Sequence, residues 1–441
     1  MKFLKTALFA VVLLACATHS FAQTGGALGA YTPYSLFGLG DISRPGTTYN
    51  LSMAGVGIAD RNVRFINILN PAAVNVRESR SFMMDFGLEN RNNYYQGNAA
   101  TAIGSSAEGP LKSANNTVNM HHIVASLPIY DNAAFKLGIM PYSNVGYDFT
   151  AHETDDEVLA DMGDIIYGKS GEGTIYQGFL GAGYTMFDRL SLGADVNYYF
   201  GAIDRYSTAT FTTSKGYRSV STGWNYVVSA FSGKFGLQYE QPLNTNSKLT
   251  LGATYTMGTE VKGSETRYAY VSSSSAVDTI THDNHGMRGY DIPREIGVGI
   301  NYRSGEKFMM EFDYTLQDWS DVSFEETPGV DFKASRAQSF RFGFEITPDR
   351  YDVRYALKRL TYRGGIYREN SYMSLNGRQI TAEGITLGFT IPINRYYNGI
   401  SFSAELGRRG TLQSDLIRER FLIFTISFNM HDIWFLKSLY N

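Results

Sequence analysis

The chain has 441 residues and a formal net charge of −3, with 31 Tyr, 28 Phe and 45 Gly against 11 Pro. So mild a charge does not suggest nucleic acid as a partner, which would leave a concentrated basic face. The balance of aromatic residues and glycine suits β-strands with close packing on one face.

The first 22 residues, MKFLKTALFAVVLLACATHSFA, place Lys2 and Lys5 before an apolar core from Ala7 to Ala15 and end on Ser20-Phe21-Ala22. This is the pattern of a signal peptide cleaved before Gln23. Its apolar run is far shorter than the roughly 20 residues a spanning helix needs. The only cysteine, Cys16, lies inside it, so the exported chain can form no disulfide and no thiolate metal site. Leu13-Leu14-Ala15-Cys16 also resembles a lipoprotein box, which leaves lipidation as the alternative to removal.

Residues 23–80 do not read as strands. Gly25, Gly26, Gly29, Gly38, Gly40, Gly46, Gly55 and Gly57 crowd the segment, and Pro33, Pro45 and Pro71 interrupt any regular element. Leu36, Phe37, Leu39, Leu51, Met53, Ile58 and Phe65 nevertheless make it too apolar for a floppy tail. If the strands that follow close into a barrel, the concave surface available to this segment is the lumen. The expectation is then an N-terminal plug, or hatch, over 23–80. Inward carboxylates at Asp85, Asp195, Glu311, Asp313, Glu345 and Glu405 would need partners there, and Arg44, Arg61 and Arg64 are the candidates, beside the strand residue Arg341.

From Ser81 onward the period is two. In SLGADVNYYF, Leu192, Ala194, Val196, Tyr198 and Phe200 share one face, against Ser191, Gly193, Asp195 and Asn197. LTLGATYTM, FMMEFDY, SFRFGFEI, ITLGFTI, SFSAELG and FLIFTISF repeat the pattern. A soluble sandwich also alternates, but an apolar face opposed by Ser, Thr, Gly, Asn and charge is what a membrane barrel carries. The fold class is therefore all-β: a transmembrane antiparallel barrel over 81–441 with about fourteen strands, an even number that brings both barrel ends to the periplasmic side. The expected runs are 81–91, 117–128, 133–146, 173–186, 189–201, 224–240, 248–261, 293–303, 306–318, 337–347, 357–367, 380–391, 399–408 and 418–429.

Phe187-Asp188, QPLNTNSK, RSGE, TPDR and INRYYNG read as short periplasmic turns; NAATAIGSSAEGPLKSANN, HETDDEVLADMGDIIYGKSGEG and SETRYAYVSSSSAVDTITHDNHGMRG read as long extracellular loops. Within the second, HETDDEVLADMGDII has the spacing of a short amphipathic cap or of a solvated acidic loop. The phase change near 351–360 predicts a bulge or short helix. His121 and His122, adjacent on a strand, should face opposite sides. His282-Asp283-Asn284-His285 is a loop cluster with no nucleophile or paired carboxylate around it. No catalytic residue, metal ligand or cofactor is assigned.

Ala54-Gly55-Val56-Gly57-Ile58-Ala59-Asp60, then Asn70-Pro71-Ala72, then an alternating strand, resembles the hatch and first strand of the FadL-type outer-membrane transporters of long-chain fatty acids and other hydrophobic compounds. Ser143-Asn144-Val145-Gly146, Phe312-Asp313-Tyr314-Thr315 and Asp318-Trp319-Ser320 extend the resemblance. The tail NMHDIWFLKSLYN looks more like Bacteroidetes-type versions, one branch of which shuttles secreted proteins in the type IX system.

The resemblance implies a Gram-negative outer-membrane protein, not an enzyme, that passes hydrophobic small molecules by diffusion past the hatch. Its partners would be that ligand, outer-membrane lipids, the barrel-assembly machinery and, on the shuttle alternative, exported proteins. An open porin is the third reading. Pro71 would fix the backbone leaving the hatch, with Asn70 closing a local turn. Phe37, Leu39, Ile58 and Phe65 are candidates for the ligand pocket. Pro141, Ser143, Asn144 and Gly146 match a kinked strand that opens a lateral gap, although Pro141 could equally end the strand.

Overall fold

The computed structural model describes residues 32–73, 81–97, 111–130, 132–212, 216–272, 277–324, 330–393 and 398–433. The signal peptide, Cys16, Gly25, Gly26, Gly29 and the tail with Trp434 and Phe435 lie outside the described residues.

Fourteen antiparallel strands form the wall. They are β1 (Ser81–Gly97), β2 (Leu111–Tyr130), β3 (Ala133–His152), β4 (Ile165–Met186), β5 (Leu190–Phe211), β6 (Ser219–Pro242) and β7 (Ser247–Thr256, resuming at Thr259–Ser272). After them come β8 (Val277–Ile292, resuming at Glu295–Ser304), β9 (Phe308–Asp318), β10 (Phe332–Ala334, resuming at Arg336–Ile346), β11 (Thr361–Leu375), β12 (Arg378–Pro392), β13 (Gly399–Arg409) and β14 (Arg418–Ile433). The β14–β1 ladder, from Arg418↔Gln96 to Ile433↔Ser81, closes the barrel.

Burial along the strands is inverted relative to a soluble protein. On β5 Leu192, Val196 and Tyr198 are exposed while Ser191, Asp195 and Asn197 are buried, and on β10 Phe340 and Phe342 are exposed over a buried Ser339. Apolar atoms outside and polar atoms inside are stable only if the outside meets lipid. No helix among the described residues is long and apolar enough to cross a membrane.

The long-loop expectation fails for SETRYAYVSSSSAVDTITHDNHGMRG. There β7 and β8 continue as a tall hairpin whose ladder reaches Ser272↔Val277. Above the bilayer a strand needs no apolar face, and here Tyr268 and Tyr270 share a face with Thr266 and Ser272, which is not the apolar stripe of a spanning strand. A helix does form at Asp156–Met162, capped by Asp155 Oδ1, which accepts from Glu157 N at 2.9 Å, but none of its residues is buried. It is a solvated helix. The phase change near 351–360 is a four-residue helix, Ala356–Arg359, and β11 starts after it at Thr361.

His121 and His122 are a correction. The β1–β2 register slips between Gly87↔His122 and Leu88↔Met120, so His121 is the extra residue of a bulge. Both imidazoles turn inward, with their Nδ1 atoms 2.9 Å apart.

Residues 32–73 lie within the barrel. A helical turn at Thr48–Leu51 and a two-residue strand at Asp41–Ile42 are their main regular structure beyond the turn at Pro33–Leu36. Toward the extracellular end Phe37, Trp319, Phe324, Phe332 and Tyr372 form an aromatic cluster, with Trp319 and Tyr372 centroids 4.7 Å apart.

Candidate functional site

A segment with so little regular structure must satisfy its backbone polar groups some other way. Three asparagines do much of this. Asn50 Nδ2 donates to Val56 O at 2.9 Å, Asn67 Nδ2 to Gly57 O at 2.6 Å, and Asn70 Nδ2 to Ile58 O at 2.7 Å. Asn70 Oδ1 also accepts from Ala72 N at 2.9 Å, closing the turn around Pro71. Lys136 Nζ, buried on β3, donates to Asn70 O at 2.7 Å.

The wall supplies the remaining acceptors. Asp313 Oδ2 accepts from Gly57 N at 2.8 Å and Ile58 N at 3.0 Å, and Glu311 accepts from Ala59 N at 2.7 Å. Inward-facing glycines let the segment come this close. A Cβ at Gly343 would stand 2.6 Å from Met53 O, and one at Gly365 would stand 2.8 Å from Ala54 N. Gly193 and Gly236 meet Asn70-Pro71-Ala72 in the same way, and Gly252, Gly297 and Gly299 meet Ile58 and Ala59. The small face seen in the sequence is a contact surface for another piece of backbone.

Charge pairing follows a different plan from the expected one. Arg44 does bridge wall carboxylates, at 3.0 Å to Glu369 and 2.9 Å to Glu405. Burial alone would lower its pKa, and those two carboxylates more than reverse this, so it stays charged. Arg61 instead donates to Arg189 O at 3.2 Å and to Thr185 Oγ1 at 3.3 Å, while Arg64 reaches Glu306 in the β8–β9 turn at 2.7 Å. Asp85 faces His122 at 3.4 Å. Asp313 and Glu311 are taken by backbone N–H groups because Gly57, Ile58 and Ala59 have no ladder to join. A pairing of the opposite sense also appears: Asp60 of the inner segment meets Arg303 of β8 at 2.9 Å. Burial pushes the Asp60 pKa up against the pull of that guanidinium.

Among the described residues the wall is incomplete between β2 and β3. The β2–β3 ladder runs from Tyr130↔Ala133 to Ile123↔Ile139 and stops, although both strands continue. Pro141 brings no N–H to the ladder, and the β3–β4 register slips between Pro141↔Tyr176 and Ser143↔Ile175. β3 then runs on to His152, so Pro141 lies within the strand and does not end it. The edge that β2 leaves is covered by the inner segment. Asp41 pairs with Asn144 and Ile42 with Ser143; Ser43 N donates to Tyr142 O at 2.8 Å, Thr32 N to Gly146 O at 2.7 Å, and Gly146 N to Ser35 Oγ at 3.0 Å. Ser143 Oγ donates to Leu39 O.

A cavity of about 340 Å³ lies behind this gap. Met120 and His121 of β2, Pro141 and Asn144 of β3, and Asp41 and Arg44 of the inner segment bound it on the gap side. Arg341, 2.9 Å from Glu369, and Arg409, 2.5 Å from Asp41 and 2.7 Å from Glu419, also line it. The expected apolar lining is a correction: Phe37, Leu39, Ile58 and Phe65 are not among the cavity's walls. Phe37 and Leu39 belong to the extracellular aromatic cluster, Ile58 fills the space over Gly297 and Gly299, and Phe65 stacks on Tyr49 at 4.3 Å. Their apolarity holds the segment in place.

The residues missed from sequence were polar: Asp41, Lys136, Glu369 and Arg409. Glu369 and Arg409 lie just past the ends assigned to their strands, where continued alternation would have turned both inward. The cluster at 282–285 is not a site by its described contacts. His282 lies 3.5 Å from Tyr270 Oη, Asp283 accepts from Thr281 Oγ1 at 2.9 Å, and the His285 side chain lies outside the described residues.

A family model described as BamG matches residues 3–441. No curated protein matches the chain. Among solved structures, the Pseudomonas putida toluene transporter TodX is similar at TM-score 0.57 and 14% identity, over 89% of this chain and 100% of that one. The Ralstonia pickettii toluene transporter TbuX is similar at TM-score 0.52 and 14% identity, over 88% and 98%. A Pseudomonas aeruginosa FadL homologue follows at TM-score 0.50 and 13% identity, over 88% and 99%. At such identities the likeness is one of fold.

Proposed function

The chain belongs to the BamG family, and on that premise, with the fold of FadL-type channels, we propose that it is a Gram-negative outer-membrane conduit for hydrophobic small molecules, plugged by residues 32–73. The observation that carries this reading is the stopped β2–β3 ladder with a cavity behind it, both lips of the gap being cavity walls. A ligand would enter from the extracellular side, rest against the plug, and leave sideways between β2 and β3. Transfer is passive, with burial contributing about 0.8 kcal/mol per CH₂. The cavity is at the small end for ligand sites, which suits a single ring or short chain better than an extended fatty acid. Its ion-paired wall suits a polar head on that molecule. The barrel would be purified from outer membranes in mild detergent, extracted with solvent, and its extract compared by mass spectrometry with that of an unrelated barrel. A stoichiometric apolar compound supports the conduit; a repeatedly empty cavity, with uptake unchanged on deletion, argues against it.

A second reading rests on the family name, which points to the barrel-assembly machinery as a partner, and on the ion pairs in the cavity wall, which suit a polar group better than an apolar one. Here the plugged barrel serves as a subunit that acts through its surface. In-cell cross-linking that joins this chain to the assembly machinery, without ligand in the extract, would favour it. Capture of exported proteins instead would favour the shuttle.

A further inference from the structure

The periplasmic mouth carries a cluster of cations that the conduit does not use. Arg64 of the inner segment and Arg350 and Arg359 of the β10–β11 connection converge on one cleft, with Thr361, Thr390 and Asn429 on its other walls. Among the described residues one carboxylate answers them: Glu306, 2.7 Å from Arg64 Nη2 and 3.7 Å from Arg350 Nε. Arg359 makes no ion pair or hydrogen bond with the described residues. The acids of the same connection are engaged elsewhere. Asp349 accepts from Tyr351 N at 3.1 Å; Asp352 accepts from Arg354 N and Tyr355 N at 2.7 and 2.6 Å and pairs with Lys358 at 3.2 Å.

Two donors in the cleft are buried and make no hydrogen bond. The Arg350 side chain is 10% exposed and that of Arg64 12%, yet Arg350 Nε and Arg64 Nη1 have no hydrogen-bond partner. Buried donors without hydrogen bonds and three like charges in one cleft are both unfavourable unless an anion completes the set. Planar guanidinium forks match the oxygens of a phosphate better than any other common group. The cleft has about 20 Å³ of room, enough for oxygen atoms reaching in from the mouth and too little for a whole ligand.

The surroundings say where such a phosphate sits. The connection exposes Val353 and Leu357, and the lipid-facing Tyr362 donates through Oη to Leu357 O at 2.9 Å. The loop therefore lies along the membrane rim, at headgroup depth, with apolar side chains beside Arg354 and Lys358. We propose that Arg64, Arg350 and Arg359 form a binding site for a phosphate ester at the periplasmic mouth, supplied by a phospholipid headgroup of the adjoining leaflet or by a soluble phosphate compound. Since Arg64 belongs to the inner segment, occupancy ties that segment to the membrane rim.

The test uses the full barrel in detergent with three probes: phosphatidylglycerol in mixed micelles, glycerol 3-phosphate, and inorganic phosphate. Native mass spectrometry counts bound lipid, and phosphorus NMR line broadening reports the soluble probes. Saturable binding of one phosphate group, weakened about tenfold or more in the double variant Arg350→Gln with Arg359→Gln, is expected from the loss of two charged donors. Arg218→Gln, which alters an exposed ion pair with Asp278, should leave binding unchanged. Heat-modifiable gel migration verifies that each variant is a closed barrel; if the double variant fails it, Arg359→Gln alone replaces it. Binding of the lipid probe alone assigns the site to the leaflet, and binding of the soluble probes assigns it to a periplasmic compound. No saturable binding by any probe, or equal binding by wild type and variant, overturns the proposal.

Discussion

Replacing Gly343 by alanine tests whether the wall holds the inner segment by backbone contact. The added Cβ would meet Met53 O at 2.6 Å, Met53 Cβ at 2.7 Å and Val56 Cγ2 at 2.8 Å. Two of these neighbours are backbone or close to it, so the segment must retreat by roughly an ångström. Retreat breaks the donation from Ala54 N to Thr386 Oγ1 at 2.8 Å and from Thr386 Oγ1 to Ser52 O at 3.2 Å. Overpacking of this kind costs about 1–3 kcal/mol, and each lost buried hydrogen bond about 1 kcal/mol more. The local seating should weaken by about 3–5 kcal/mol, which is roughly 150-fold to several thousandfold in the opening equilibrium. Hydrogen exchange of the Met53–Val56 amides reads that equilibrium directly. Phe342→Ala, on the lipid face of the same strand, is the control and should leave those amides protected. If Gly343→Ala yields a closed barrel with native exchange over 53–56, the contact account of the wall is wrong.

The paired positions Ile42 and Ser143 lie opposite each other at the gap, so Ile42→Cys with Ser143→Cys should form a disulfide. If ligand leaves there, oxidised cells should lose uptake and regain it on reduction; uptake indifferent to oxidation removes the lateral route. Lys136→Met takes away a charged donor to Asn70 O at 2.7 Å, and should lower seating stability by about 1.5–3 kcal/mol with faster exchange at Ala72. A protected Ala72 amide would show that the Asn-Pro-Ala turn stands without it. Trp319→Ala empties the centre of the extracellular cluster, at about 3–5 kcal/mol, and should raise small-solute conductance in planar bilayers. Unchanged conductance would place the seal elsewhere.

The strands were legible because lipid enforces apolar residues at every second position, and that rule ends where the bilayer ends. Hence β7 and β8 looked like loop above Val261, although Tyr268 and Tyr270 continue the period. The partners of the inner segment were not legible from its glycines and apolar residues. Charge alone suggested arginines for Asp313 and Glu311, whereas the backbone N–H groups of an irregular chain had the prior need. A bulge is a single unpaired residue with no composition of its own, so nothing in His121-His122 announced that both rings would share the lumen. The cavity escaped for a related reason: its lining is gathered from the inner segment and from strands far apart in the chain, Ile42 and Leu51 beside Met120, Trp319 and Arg409, so no single stretch of sequence carries it.

A core that touches its casing this closely bears on how the molecule is built. Backbone lies against the wall at positions where not even a methyl group fits, on strands from β5 to β11, and Thr32 and Arg64 reach Glu419 and Asn429 on β14. Such a segment has no clearance to slide lengthwise into a finished tube. Seating it before the sheet closes avoids that passage. Damage to residues 32–73 should then surface first as failed assembly of the barrel.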